Sequence, residues 1–180
     1  MTKAILINGS NTVYSRLTGV QQQAEQALQA QGIDTEILYV HQLPAEDLIL
    51  ANFGSEAIKT ATAKVEAADI VVILTPIYKA AYAGILKTFL DLIPQKGLEG
   101  KLVWPIAIGG SIGHLLAIDY ALKPVVTVLG ATHIAHTVFV VDKQVTKLAD
   151  GHYEVDAAAR ERIAHQATYI AQHVQIATRV

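Results

Sequence analysis

Two stretches decide the fold: Ile5-Leu6-Ile7-Asn8-Gly9-Ser10-Asn11-Thr12-Val13-Tyr14-Ser15-Arg16 and Val71-Val72-Ile73-Leu74-Thr75-Pro76-Ile77-Tyr78-Lys79-Ala80-Ala81-Tyr82-Ala83-Gly84. Each is an apolar, largely β-branched run that stops at polar, Gly or Pro residues and passes into a helical pattern. Continuous apolar runs of this kind belong to parallel strands covered on both faces. Working outward, strands are predicted at Lys3–Asn8, Thr35–Val40, Asp69–Thr75, Lys101–Ile108 and Thr132–Val140.

Helical spacing lies between them. Leu17, Val20, Ala24, Ala27 and Leu28 mark one helix, closed by Gly32. Ile58, Ala61, Val65 and Ala68 mark a second; Leu86, Phe89, Leu90 and Ile93 mark a third, ended by Pro94. His114 to Leu129 makes a fourth, bent near Lys123-Pro124, and Ile163, Ala167, Ile170, Ala171 and Val174 mark the last. Asp142–Tyr153 is polar and is read as an exposed loop or short hairpin. Alternation of this kind gives a three-layer α/β/α sandwich with right-handed crossovers. Five strands favour a parallel sheet in the flavodoxin-like order 2-1-3-4-5, within one domain spanning residues 1–180.

Composition narrows the function. The 180 residues are 52% hydrophobic and 17% charged, and mean hydropathy is +0.34. A buried sheet plus an oligomer interface, or a membrane protein, would each explain this. No run approaches the roughly 18–20 apolar residues of a spanning helix, so the first is expected. A homodimer or homotetramer follows, its interface made largely by the helices after Pro76 and Gly110. Met1-Thr2-Lys3 enters a strand directly, which leaves no room for a signal peptide and points to the cytoplasm. A net charge of −2 argues against nucleic acid. The absence of Cys excludes disulfides, thiolate metal sites and thiolate nucleophiles. No histidine pair has defensible metal-ligand spacing, so no metal is expected.

In a doubly wound sheet, ligands bind beyond the carboxyl ends of the strands where strand order reverses, here between the first and third strands. Gly9 allows close backbone approach; Ser10, Asn11, Thr12 and Ser15 supply hydroxyl and amide groups; Arg16 adds a guanidinium. With the helix start at Ser15-Arg16-Leu17, these suit a phosphate. A turn with an N-cap would use the same residues. There is no Walker Lys and no G-x-G-x-x-G, so a triphosphate or dinucleotide is less well served. Thr75-Pro76-Ile77-Tyr78 predicts a sharp turn whose rim suits a flat ring, with Lys79 beside it; a surface turn with packed tyrosines is the plainer alternative. Gly109, Gly110 and Ser111 permit approach to a ligand edge or make an ordinary turn. His114 either caps the following helix or faces the ligand. A phosphate at one loop and a planar heterocycle at the other describe flavin mononucleotide (FMN).

These segments resemble the NADPH-dependent FMN reductase family. Gly9-Ser10 with Ser15-Arg16 is similar to its phosphate loop, and Thr75 through Lys87 to its flavin-ring loop and following helix. The likeness is strongest to reductases of two-component alkanesulfonate monooxygenase systems. It continues through Gly100-Lys101, Gly109-Gly110 and His114 to Val125, covering roughly residues 4 to 141. The family's loop often reads Gly-Ser-Pro-Arg or Gly-Ser-x-Arg; here Gly9-Ser10-Asn11-Thr12 leaves Arg16 as its cation. The resemblance implies an NAD(P)H:FMN oxidoreductase that supplies reduced flavin to a partner monooxygenase in sulfonate desulfurisation. FMN and NADPH or NADH would be its cofactors. The implied binding residues are Ser10, Ser15, Arg16, Leu17, Pro76, Ile77, Tyr78, Lys79, Gly109, Gly110, Ser111 and His114. Hydride transfer needs stacked rings rather than a protein acid or base, so no catalytic side chain is assigned. The resemblance also implies a π-type widening at Tyr120, at a subunit interface beside the flavin. A quinone or azo-compound reductase that keeps its FMN, and a flavodoxin-type electron carrier, remain the alternatives; a strongly acidic docking face would mark the carrier.

Overall fold

Ala4 through Asn8 are all buried in β1 (Lys3–Asn8), as an uninterrupted apolar run requires when both faces of its strand are covered. The computed structural model describes residues 1–177. In it β1 pairs in parallel with β2 (Asp34–Tyr39) on one side and β3 (Ile70–Tyr78) on the other. β3 pairs in turn with β5 (Leu102–Gly109), giving the switch point between β1 and β3. The five principal positions therefore stand in the order 2-1-3-4-5, the flavodoxin-like arrangement.

The sheet has seven strands rather than the expected five. One addition is β4 (Ala81–Tyr82), which folds back antiparallel on the end of β3. The other arises because Thr132–Val140 is not continuous. It breaks into β6 (His133–Ile134) and β7 (Val138–Val141), both paired in parallel with β5. β2 begins and ends one residue earlier than predicted. β3 does not turn after Thr75 but runs through Pro76 to Tyr78. Pro76 is tolerated because it faces Ile108 in the last β3–β5 pair, where the ladder is ending.

Side chains alternate across β1 between two cores. Ala4 and Leu6 join α1 (Arg16–Gln29) and α6 (Ala157–Ala177), together with buried Trp104. Ile5 and Ile7 join α3 (Glu56–Glu66), α4 (Gly84–Leu90), α5 (Lys123–Val128) and buried Phe89, while the short α2 (Ala45–Ile49) adds Leu48. Burying one large apolar side chain contributes about 1.5–3 kcal/mol.

The expected helix from His114 to Leu129 is instead three pieces. A 3₁₀ turn covers Ile112–His114, a π-helical turn covers Ile118–Leu122, and α5 follows. The Lys123 amide donates to the Ile118 carbonyl, five residues back, and Pro124 occupies the first turn of α5, where its missing N–H is harmless. The polar segment after Asp142 contains a short hairpin, β8 (Val145–Lys147) with β9 (Tyr153–Val155), one of the two readings, but it runs to Val155 and buries Val145 and Val155 at its ends. It lies against α1 so closely that a Cβ on Gly19 would stand 2.5 Å from the Tyr153 Cβ.

Candidate functional site

The Gly9 amide donates to the Leu74 carbonyl at 2.8 Å, which continues the β1–β3 contact one residue beyond the strand and starts the loop. A Cβ at Gly9 would lie 2.8 Å from the Leu86 Cβ, so only glycine lets the loop pass α4 here. Beyond it the chain advances by short side-chain turns. The Ser10 amide donates to Asn8 Oδ1, the Thr12 amide to Ser10 Oγ, the Tyr14 amide to Thr12 Oγ1 and the Leu17 amide to Ser15 Oγ. Asn8 is itself held by Gln21, to whose Oε1 its Nδ2 donates at 3.0 Å. His41 Nδ1 donates to the Ser10 carbonyl at 3.1 Å. Ser10, Thr12 and Ser15 thus accept from the backbone and keep their hydroxyl protons for an incoming acceptor. Ser15 is the N-cap of α1, so these hydroxyls sit at the positive end of that helix.

The ring-side loop is a tight hairpin. Lys79 and Ala80 form its two-residue turn with φ of +50° and +64°, the left-handed pair that such a turn demands. Thr75, fully buried, fastens its base: the hydroxyl donates to the Pro76 carbonyl at 2.9 Å and accepts from the Ala83 amide at 3.0 Å. Burial pushes the Tyr82 phenol pKa up on the far strand of this hairpin. Past the Pro76–Ile108 pair, β3 turns into its hairpin while Gly109 pairs with Val141. The strands part, and an open cleft of about 280 Å³ appears between them.

Ser10, Ser15, Arg16, Pro76, Ile77, Tyr78, Gly109 and Gly110 all line that cleft. Four other predicted residues do not. The Leu17 side chain is in the core below α1, so only its amide belongs to the loop. Lys79 and His114 are exposed and outside the lining, as is Ser111, whose hydroxyl accepts from the Gly113 amide. Thr12 lines the cleft as well, and so do Tyr14, Ile108 and Asp142, which the sequence does not single out as ligand groups. Thr12 was visible as one of the loop's hydroxyls. Asp142 carried no signal, since it arrives through β7 from a distant, unpatterned segment.

The donor set fits FMN. Hydroxyl protons, the guanidinium and a helix start converge on one side. Glycine backbone and an exposed tyrosine ring (Tyr78, 53% accessible) form the other. A Cβ on Gly109 would sit 3.1 Å from Phe139 Cζ and 3.4 Å from Ile77 Cβ, so a side chain there would crowd the floor. Among the described residues no group of three or more His, Asp or Glu is arranged for a metal. No helix among them is long and apolar enough to cross a membrane.

Comparison with known proteins agrees with this geometry. An FMN reductase (NADPH) of Escherichia coli K12 is 45% identical over 145 residues, 79% of this chain and 75% of that protein. The NADH-dependent FMN reductase SfnF of Pseudomonas putida is 33% identical over 168 residues, 89% of this chain and 87% of the relative. The apo crystal structure of the NADH:FMN oxidoreductase EmoB superposes with a TM-score of 0.85 at 30% identity, covering 96% of this chain and 89% of that one. The family model for NADPH-dependent FMN reductases matches residues 2–146. Those residues hold both loops, the glycine pair and Asp142, and the chain belongs to the NADPH-dependent FMN reductase family, as an NAD(P)H:FMN oxidoreductase with FMN and NADPH or NADH as its cofactors.

Proposed function

We propose that this protein oxidises NAD(P)H, reduces FMN and passes the reduced flavin to a separate monooxygenase, in the cytoplasm and in the service of sulfonate desulfurisation. The observation that carries the flavin site is the meeting of Ser10, Ser15 and Arg16 with Pro76–Tyr78 and Gly109–Gly110 in one cleft at the switch point. The sulfonate assignment is supported by the likeness of the Thr75–Lys87 and His114–Val125 segments to reductases of alkanesulfonate systems. When bound, FMN supplies the hydride acceptor. Ser10, Thr12, Ser15 and Arg16 hold its phosphate, and Pro76, Ile77 and Tyr78 with the Gly109–Gly110 backbone position its ring. Lys79, Ser111 and His114 are exposed and stand outside the cleft lining. Orientation of stacked rings is the protein's contribution to rate, so no side chain moves a proton.

Assembly belongs to the same reading. Ile112, Leu115, Leu116, Tyr120 and Val128 form an exposed apolar strip along the 3₁₀ turn, the π-helical turn and α5. Tyr120 is 80% exposed on the π-helical turn, which favours a homodimer or homotetramer closing over this face.

The test is NADH and NADPH oxidation measured against increasing free FMN, FAD and riboflavin. Turnover that rises with added free flavin supports the reductase. Turnover driven by quinone without added flavin overturns it in favour of a reductase that retains FMN, and the absence of both leaves an electron carrier.

A further inference from the structure

Asp142 brings a carboxylate into a cleft whose other charged group is Arg16. Its Oδ2 lies 3.8 Å from the point where a Cβ on Gly110 would stand, on the ring side. Among the described residues no hydrogen bond or ion pair engages that carboxylate, Arg16 included. Arg16 Nε donates instead to the Val145 carbonyl at 3.0 Å. Nor is Asp142 loosely placed. It begins a one-turn 3₁₀ helix, Asp142–Gln144, whose last side chain is tied down from several directions. Gln144 Oε1 accepts from the Val141 amide and from Arg162 Nη2, and Gln144 Nε2 donates to the Asp156 carboxylate. Arg162 Nη2 also donates to the Phe139 carbonyl at 3.1 Å, which couples α6 to the strand leading into the turn. A polar network thus fixes the turn, and the exposed Asp142 carboxylate lines the cleft with no partner of its own among the described residues.

Charge balance gives this placement a role. When bound, FMN that accepted a hydride from reduced nicotinamide, releasing oxidised nicotinamide, would carry one more negative charge than the oxidised ring. An unpaired carboxylate on a fixed turn beside the ring would leave the neutral oxidised flavin nearly untouched and repel the reduced anion. We infer that Asp142 makes the cleft discriminate between the two redox states of its flavin, weakening its hold on the reduced form so that the product leaves. This rests on the FMN reading of the cleft.

The experiment is anaerobic titration of wild type, Asp142→Asn and Lys143→Gln with oxidised and with dithionite-reduced FMN. Lys143 is exposed, adjacent in sequence and outside the cleft lining, and serves as the charge control. Asp142→Asn is expected to tighten reduced FMN about tenfold while oxidised FMN changes less than about twofold. The two-electron midpoint potential of the bound flavin should then rise by about 30 mV, the equivalent of that tenfold change. Lys143→Gln should leave the ratio of the two affinities unchanged. An unchanged ratio in Asp142→Asn, or an equal shift in Lys143→Gln, overturns the role of Asp142. Failure of the wild type to bind oxidised FMN overturns the reading of the cleft beneath it.

Discussion

Arg16 Nε donates to the Val145 carbonyl across 129 residues of sequence, so the guanidinium at the mouth of the phosphate loop is braced by the β8–β9 hairpin. One nitrogen sets the direction of the group, and the others are left for the ligand. Arg16→Ala should weaken FMN binding by about 1.5–3 kcal/mol, the worth of a charge-assisted hydrogen bond, and weaken riboflavin far less. Fluorescence titration with both flavins checks this; equal losses would remove Arg16 from the phosphate.

The hairpin turn offers a stabilising substitution. Lys79 and Ala80 both hold left-handed φ without being Gly or Asn, a conformation that costs an L-residue roughly 1–2 kcal/mol. Ala80→Gly should therefore raise stability by about 0.5–1 kcal/mol after the entropy of the glycine is set against the relief. Urea denaturation reads the change, and a drop in midpoint would contradict the turn geometry.

Asp156 caps α6: its Oδ1 accepts from the Ala159 amide at 2.7 Å. That bond, first, and then Gln144 and the nearby Arg162 and Arg160 hold its pKa below the ordinary 3.8 against the opposing effect of burial. A carboxylate with a folded pKa below its unfolded one contributes stability that is full above the unfolded value and is lost as pH falls through the folded one. Wild type and Asp156→Asn, which also caps, should keep a constant difference in melting temperature above pH 5 and converge below pH 4. Parallel curves down to pH 2 would show that the carboxylate is not the cap.

Deleting Tyr120 removes the extra residue that carries the Lys123-to-Ile118 bond. The deletion should restore regular helix and, if the apolar strip is the interface beside the flavin, yield protein that purifies yellow and transfers FMN poorly. Sedimentation at micromolar concentration should show an oligomer for the wild type. A colourless deletion variant with normal turnover of free FMN would separate the π-helical turn from flavin release.

β1 and β3 were legible because burial on both faces leaves an unbroken apolar signature, and the helix after Ser15 because its cap and apolar spacing coincide. The hairpin at Lys79-Ala80 was hidden because nothing local announces a left-handed pair made of Lys and Ala. The break in the last strand was hidden as well. Ala135 bonds the Val103 carbonyl and then leaves the ladder, a tertiary event inside a run that reads as one strand. The resemblance implies Leu17 as a binding residue; helical geometry turns its side chain into the core and leaves its amide to the loop. Asp142 had no period, cap or turn signature, and only the fold brings it to Gly110.

The alternation along β1 divides the interior into two compartments that share a sheet but few side chains. The phosphate loop leads into α1 on one of them, while the ring hairpin leads into α4 on the other. Substitutions that reshape the ring hairpin therefore disturb the packing of α3, α4 and α5 and leave the α1–α6 layer intact. A tie across the sheet remains at Gly9, whose loop passes Leu86 of α4, so a change in the ring hairpin reaches the anion grip through that contact. The cleft is the seam where the two layers meet, and Gly9 is the point at which one constrains the other.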